Sequence, residues 1–146
     1  MPTVLTTGGL GFIGSHTCIS LLKKGFDVLI LDSLVSSKFE TLSQIKKIIN
    51  ISKEKLTGQV FFEQGDLREK NWLEKIFGKY KKSGKTIDCV IHFAGLKSVE
   101  ESVKYPLQYW DVNLNTTLSL LSVMELYGCY SIVFSSSATI YKPVLN

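Results

Sequence analysis

No stretch of apolar residues in this chain approaches the ~20 that a bilayer-spanning helix needs. The opening residues carry neither a basic segment nor a small-residue cleavage site, so nothing there reads as a secretory leader. No membrane partner is expected, and the cytoplasm is the default location. Cysteine is scarce: Cys18, Cys89 and Cys129 each lie in an apolar stretch, and no two have metal-ligand spacing. They read as buried free thiols, which suits a reducing compartment, and no metal site is expected. Internal repeats and low-complexity linkers are also missing. The formal charge of +4 lies mostly in lysine pairs (Lys23-Lys24, Lys46-Lys47, Lys81-Lys82) with no aromatics interleaved among exposed arginines. That pattern is solvated surface, and no nucleic-acid partner is expected.

What remains is one domain's worth of globular sequence, 146 residues with 45% apolar and 21% charged. Strand-like and helix-like patterns alternate along it, the signature of an α/β fold with a parallel sheet covered on both faces. Thr3–Thr6 is a short β-branched run ended by Gly8-Gly9. Phe12–Lys24 follows as a helix, with Ile13, Cys18, Leu21 and Leu22 at helical spacing, and Gly25 ends it. Phe26–Leu31 is a continuous apolar run, a buried second strand. Leu42, Ile45, Ile48 and Ile49 make an amphipathic helix within the irregular Ser33–Gly58 region. Gln59–Gln64 is the third strand, and Glu69–Lys82 a helix with Trp72, Ile76, Phe77 and Tyr80 on one face. Ile87–Phe93 is the fourth strand. Pro106 suits a helix start, the apolar pattern from Tyr109 to Leu126 fills a crossover helix ended by Gly128, and Ser131–Phe134 is the fifth strand. Right-handed crossovers in a doubly wound, Rossmann-type sheet then give the order 3-2-1-4-5, with a ligand at the carboxyl ends of strands 1 and 4.

The residues at those ends carry the chemistry. Gly8-Gly9-Leu10-Gly11-Phe12-Ile13-Gly14 joins the first strand to the first helix, and Gly8, Gly11 and Gly14 have G-x-x-G-x-x-G spacing. Such a loop lets backbone amides at a helix start bind a pyrophosphate. Asp32, followed by Ser33, ends the second strand, where a carboxylate accepts from adenosine ribose hydroxyls and repels a 2′-phosphate. NAD is therefore favoured over NADP. Asp66 and Leu67 follow the third strand, where a carboxylate can accept from an adenine amine and an apolar neighbour can pack on the ring; Gly65-Asp66 is equally a common turn. His92-Phe93-Ala94-Gly95-Leu96-Lys97 closes the fourth strand, with small residues where backbone passes near the ribose and diphosphate, and Lys97 able to pair with a phosphate. His92, inside an apolar strand, reads as a satisfied core histidine rather than a catalytic one. Ser135-Ser136-Ser137-Ala138-Thr139 ends the fifth strand, a place for a hydroxyl that bonds a reacting alcohol, or simply a polar strand end.

Three blocks in register resemble the UDP-glucose 4-epimerases, extended short-chain dehydrogenases/reductases. They are Gly8 to Thr17, Ile91-His92-Phe93-Ala94-Gly95-Leu96-Lys97-Ser98-Val99, and Phe134-Ser135-Ser136-Ser137-Ala138-Thr139-Ile140-Tyr141. The second is the most discriminating, because sugar-nucleotide dehydratases and decarboxylases on this fold usually carry a different tract. The resemblance implies that Gly8, Gly11, Phe12, Ile13 and Gly14 bind the NAD pyrophosphate, Asp32 the adenosine ribose, and Asp66 and Leu67 the adenine. Phe93, Ala94, Gly95 and Lys97 would line the nicotinamide side, Asn113 would organise the site from its helix, and Ser137 would hydrogen-bond the sugar 4-hydroxyl. The implied reaction interconverts UDP-glucose and UDP-galactose through a 4-keto sugar, in a family that is typically homodimeric.

The family's Tyr-x-x-x-Lys pair, which supplies the general base, has no counterpart here: none of the six tyrosines has Lys four positions on. The resemblance therefore implies an incomplete NAD-binding domain spanning residues 1–146, without the substrate-binding domain, and inactive alone. Glu100 and Thr116 replace usual glycines, and Lys142 replaces the Gly that normally follows Tyr141, so the tail Lys142–Asn146 reads as an altered end. The alternatives are a stand-alone NAD-binding module, or an interaction fragment that self-associates through a poorly covered fifth strand. A 4,6-dehydratase would need acidic residues after Ser137-Ala138-Thr139, and none is present.

Overall fold

The computed structural model describes residues 1–51 and 58–137. Its elements are β1 (Thr3–Thr7), α1 (Phe12–Lys23), β2 (Asp27–Asp32), α2 (Glu40–Ile51), β3 (Val60–Gln64), α3 (Lys70–Lys82), β4 (Ile87–His92), α4 (Val99–Lys104), α5 (Pro106–Tyr127) and β5 (Ile132–Phe134). The strands form one parallel sheet in the order β3-β2-β1-β4-β5, the doubly wound arrangement expected from the alternating pattern. Parallel pairing sets Thr7 opposite both Leu31 and His92, so the carboxyl ends of β1, β2 and β4 align at one edge of the sheet.

β1 and β2 are buried along their whole lengths, which is why they read as unbroken apolar or β-branched runs rather than alternating ones. Successive side chains serve opposite faces. Leu29 and Leu31 join Leu5, Val90 and residues of α3 and α5 in one core. Val28 and Ile30 join Cys18 and Leu22 of α1 and Leu42 and Ile45 of α2 in the other. Each of these fully buried aliphatic side chains contributes roughly 1.5–3 kcal/mol.

Several sequence expectations change in detail. Ile13, placed on the core face of α1, is exposed, because the first turn of that helix projects beyond the sheet edge. Ile48 is exposed while Leu42 and Ile45 carry the packing of α2. On α3 the core position belongs to Leu73, with Ile76, Phe77 and Tyr80, whereas Trp72 is only half-buried. Cys18 and Cys129 are buried free thiols as expected, but Cys89 is only partly covered, since β4 is bordered by the short and exposed β5. Burial pushes the Cys18 thiol up to about 11, so it stays protonated.

The short helix α4 went unforeseen. Ser98 caps it by accepting from the Glu101 amide at 3.3 Å. The Ser98-x-x-Glu101 spacing is a capping-box signal that was available in the sequence. Thr116, in place of the family's usual glycine, is accommodated in α5 by donating its hydroxyl to the Val112 carbonyl at 2.7 Å. Tyr141 and the tail Lys142–Asn146, together with Ala138 and Thr139, lie outside the described residues.

Candidate functional site at the carboxyl edge of the sheet

The loop from Gly8 to Gly14 crosses the carboxyl edge of β1 and turns into α1. Gly8 has a positive φ of 63°, and a Cβ there would lie 2.9 Å from the Ala94 nitrogen, so the turn needs glycine for both its conformation and its approach to the β4 end. Gly14 is equally constrained: a Cβ would sit 2.5 Å from the Gly8 carbonyl oxygen. The helix start is thereby pressed against the strand that feeds it. Ser15 is the first amide of α1 to find a carbonyl, that of Gly11 at 2.9 Å. The amides of Phe12, Ile13 and Gly14 have no acceptor among the described residues. Gly11 offers no side-chain cap and the first turn holds no acidic residue. Three free donors at the positive end of a helix form a cradle for an anion.

Asp32 ends β2 beside this cradle. It is buried, and its carboxylate accepts from three donors. The Leu10 amide meets Oδ2 at 3.0 Å, the Leu34 amide Oδ1 at 3.0 Å, and the Ser37 hydroxyl Oδ1 at 2.6 Å. One carboxylate therefore ties the glycine loop to the β2–α2 loop. Leu34 adopts φ 62°, a left-handed conformation that its amide bond to Asp32 helps to hold. A carboxylate offers about four acceptor positions, so one stays open on Oδ2. Ser33, next to Asp32, is exposed at the same edge.

The end of β3 differs from expectation. Asp66 is engaged by Arg68, whose Nη2 lies 2.7 Å from Oδ2 while Nε reaches both oxygens. Arg68 also pairs with Asp111 on α5 at 2.5 Å. The Arg68 hydrogen bond holds the Asp66 carboxyl below the usual carboxylate range. Bonds from Asn115, then from Arg68, do the same for Asp111. Leu67 is buried in the core with Leu73 and Leu5, so its side chain is turned away from any ring outside. Nothing in the sequence signalled the Arg68–Asp111 pair, which joins β3's end to a helix far along the chain.

The β4 end brings Phe93, Ala94, Gly95 and Lys97 to the same edge as the glycine loop. The Phe93 amide continues the ladder to the Thr7 carbonyl at 3.1 Å. Asn113 of α5 grips the next turn twice: its Oδ1 accepts from the Leu96 amide at 2.7 Å, and its Nδ2 donates to the Leu96 carbonyl at 3.0 Å. Both halves of its amide are spent on main chain, so Asn113 shapes the loop. Lys97 is exposed without an acidic partner among the described residues. His92 is the satisfied core histidine that the apolar strand suggested, 2% exposed and bonded on both ring nitrogens, to Thr7 at 2.6 Å and Thr117 at 3.1 Å. Burial lowers its pKa to about 4, so it is neutral.

Ser137 is exposed just beyond β5, two strand positions across the edge from the glycine loop. A groove of about 470 Å³ runs nearby along α5, lined by Pro106, Tyr109, Trp110, Asn113, Leu114 and Phe134. It is mostly apolar and separate from the cradle. Among the described residues no three His, Cys, Asp or Glu side chains converge as a metal site, and no helix is long and apolar enough to cross a membrane.

Residues 5–144 match the family model described as GDP-mannose 4,6 dehydratase. The chain is 48% identical over 140 residues to UDP-glucose 4-epimerase uge1 of Schizosaccharomyces pombe, covering 95% of this chain and 36% of that protein. It is 49% identical over 142 residues to a UDP-glucose 4-epimerase of Neisseria meningitidis serogroup A, covering 97% and 38%. Its structure resembles that of the Bifidobacterium longum UDP-glucose 4-epimerase, solved in complex with NAD+ and UDP. There the TM-score is 0.83 at 44% identity, over 95% of this chain and 38% of the other. The chain thus spans a little over a third of the length of the relatives it matches.

Proposed function

Since the chain belongs to the GDP-mannose 4,6 dehydratase family, we propose that it forms the NAD-binding portion of a UDP-glucose 4-epimerase. The observation that carries this reading is the pairing of free amides at Phe12–Gly14 with the buried Asp32 carboxylate beside them. Amides bind the diphosphate, and the open position on Asp32 accepts a ribose hydroxyl. Displacing the Ser37 hydroxyl from Oδ1 lets the carboxylate take the second hydroxyl, while its negative charge disfavours a 2′-phosphate. Gly8, Gly11, Phe12, Ile13 and Gly14 hold the diphosphate, and Asp32 with Ser33 holds the adenosine ribose. Asp66 and the main chain at Leu67 face the adenine. Phe93, Ala94, Gly95 and Lys97 form the wall on the nicotinamide side, which Asn113 shapes. NAD supplies a hydride acceptor and donor when bound. Ser137 orients the sugar hydroxyl from its exposed place beyond β5.

The relatives named UDP-glucose 4-epimerase include ones sharing 46–49% identity with this chain. The sequence after Ser137-Ala138-Thr139 lacks the acidic residues of a dehydratase. Both favour epimerisation within this family. UDP-glucose and UDP-galactose are the substrates of the complete enzyme, a cytoplasmic homodimer. The 146 residues alone carry no Tyr-x-x-x-Lys pair and are proposed to bind NAD without turning over UDP-galactose.

Calorimetric titration with NAD tests the reading. The parent chain should bind, and Asp32→Ala should weaken binding about tenfold or more, the equivalent of one charge-assisted hydrogen bond. Equal affinity in the two proteins would remove Asp32 from the site, and no binding by the parent would remove the site itself. A second reading, self-association, is favoured by one observation. Val103, Leu107 and Trp110 are at least 70% exposed along α4 and α5, beside the exposed Phe134 of β5, which lines the same groove as Trp110.

A further inference from the structure

The hydrogen-bond donors and acceptors around His92 admit one consistent arrangement. The Thr117 hydroxyl donates to the Asn113 carbonyl at 2.9 Å, the usual helix back-bond. Its oxygen, 3.1 Å from His92 Nε2, is then left as an acceptor, which places the imidazole proton on Nε2. Nδ1 is consequently bare and accepts the Thr7 hydroxyl proton across 2.6 Å. With its proton so directed, the Thr7 oxygen is free to accept the Ala94 amide at 3.2 Å. The opposite tautomer would point Nδ1–H and the Ala94 amide at the same oxygen and strand the proton of Thr7, which is fully buried. Four bonds therefore run in one direction, from the Ala94 amide through Thr7, His92 and Thr117 to the main chain of α5.

The two ends of this relay matter because of where they lie. Ala94 is the residue that a side chain at Gly8 would strike, so it borders the glycine loop directly. Thr117 sits one helical turn from Asn113, which grips Leu96. We infer that His92, protonated on Nε2, is a positioning residue that couples α5 to the Ala94 main chain, so that the β4–α4 loop is held at Ala94 by the relay and at Leu96 by Asn113. Its importance for NAD rests on the function proposed above, which places this loop against the dinucleotide. Among the described residues the ring's hydrogen bonds go to Thr7 and Thr117, the tilted Phe134 ring lies 5.4 Å away between centroids, and no charged side chain bonds to it.

Nitrogen-15 spectroscopy of the imidazole in the wild-type chain tests the tautomer without any variant. At neutral pH Nε2 should resonate as the protonated, pyrrole-like nitrogen and Nδ1 as the bare one; the reverse pattern, or an imidazolium, overturns the inference. Amide exchange tests the coupling. Thr117→Val removes the far end of the relay and should speed exchange at the Ala94 amide about tenfold while leaving β1 amides such as Leu5 unchanged. An Ala94 rate equal to wild type overturns the coupling, and Thr7→Val serves as the positive control because it deletes the Ala94 acceptor itself. NAD titration of the same proteins separates the two claims. If Ala94 responds as expected but Thr117→Val binds NAD as tightly as wild type, the relay stands and the placement of this loop against the dinucleotide falls.

Discussion

His92 shows how a single buried side chain sets a pH dependence. Its pKa falls to about 4 on folding, through burial, from an ordinary value of 6.5. Between those values the unfolded chain binds a proton that the folded chain refuses. Folding stability is therefore full above about pH 6.5 and declines as pH falls toward 4, with a total loss of order 3 kcal/mol. Urea denaturation at a series of pH values should show this decline, and His92→Gln should flatten it; an equally steep acid limb in the variant would assign the loss to other groups. Asp32 is a structural anchor as well as a candidate ligand. Its three donors come from two different loops, so the same carboxylate proposed to bind the ribose also fixes the distance between those loops. Asp32→Asn keeps the shape but turns one acceptor oxygen into a donor; with its carbonyl kept toward Leu34 and Ser37 it should lose the Leu10 contact alone, and it is the cleaner companion to the alanine variant.

At the scale of elements, the junction of β1 and α1 depends on contacts too short for a side chain. Gly14→Ala would bring a methyl to 2.5 Å from the Gly8 carbonyl oxygen and 2.8 Å from the Gly9 Cα, all main-chain atoms that cannot swing aside. The helix must then move off the strand, at a cost of roughly 1–3 kcal/mol. Thermal unfolding followed by circular dichroism should report a lower midpoint, and a midpoint equal to the parent's would mean that the junction is looser than these distances. The same shift widens the cradle at Phe12–Gly14, so NAD affinity should fall together with stability. The short helix α4 illustrates a different balance. α4 has no buried residue and is held by its Ser98 cap and by Tyr109, whose hydroxyl accepts from the Ser98 amide and donates to Glu101, each at 3.0 Å. Local polar bonds rather than core packing give it its shape.

For the whole molecule, the two faces of the sheet are not equally covered. α1 and α2 close one core, whereas α5 leaves Leu107, Trp110, Leu114 and Leu118 exposed on its outer side. Apolar surface on that scale favours association. Sedimentation velocity of the 146-residue chain should show species larger than a monomer, and the pair Leu107→Asp with Trp110→Glu should shift it toward monomer. A monodisperse parent monomer would rule out this surface as a self-association face. Both substituted side chains are exposed, so the variant's fold should survive the change.

The order of the elements and the parallel sheet were legible in the chain because buried parallel strands and amphipathic crossovers have distinct periodicities. The order 3-2-1-4-5 followed from right-handed crossovers together with the usual doubly wound arrangement. The glycine loop and Asp32 were legible because a turn into a helix and a strand-end carboxylate are local features. By itself, then, the sequence determined the fold class, the edge of the sheet where the glycine loop and Asp32 lie, and the reading of His92 as a satisfied core histidine. Tertiary structure alone decided which partners those residues meet. It buried the Leu67 side chain, gave Asp66 and Asp111 to Arg68, spent Asn113 on Leu96, and linked His92 to α5 through Thr117. The reason is physical: periodicity records which side of an element faces the core, but a hydrogen bond between residues dozens of positions apart exists only once the sheet and its helices have brought them together.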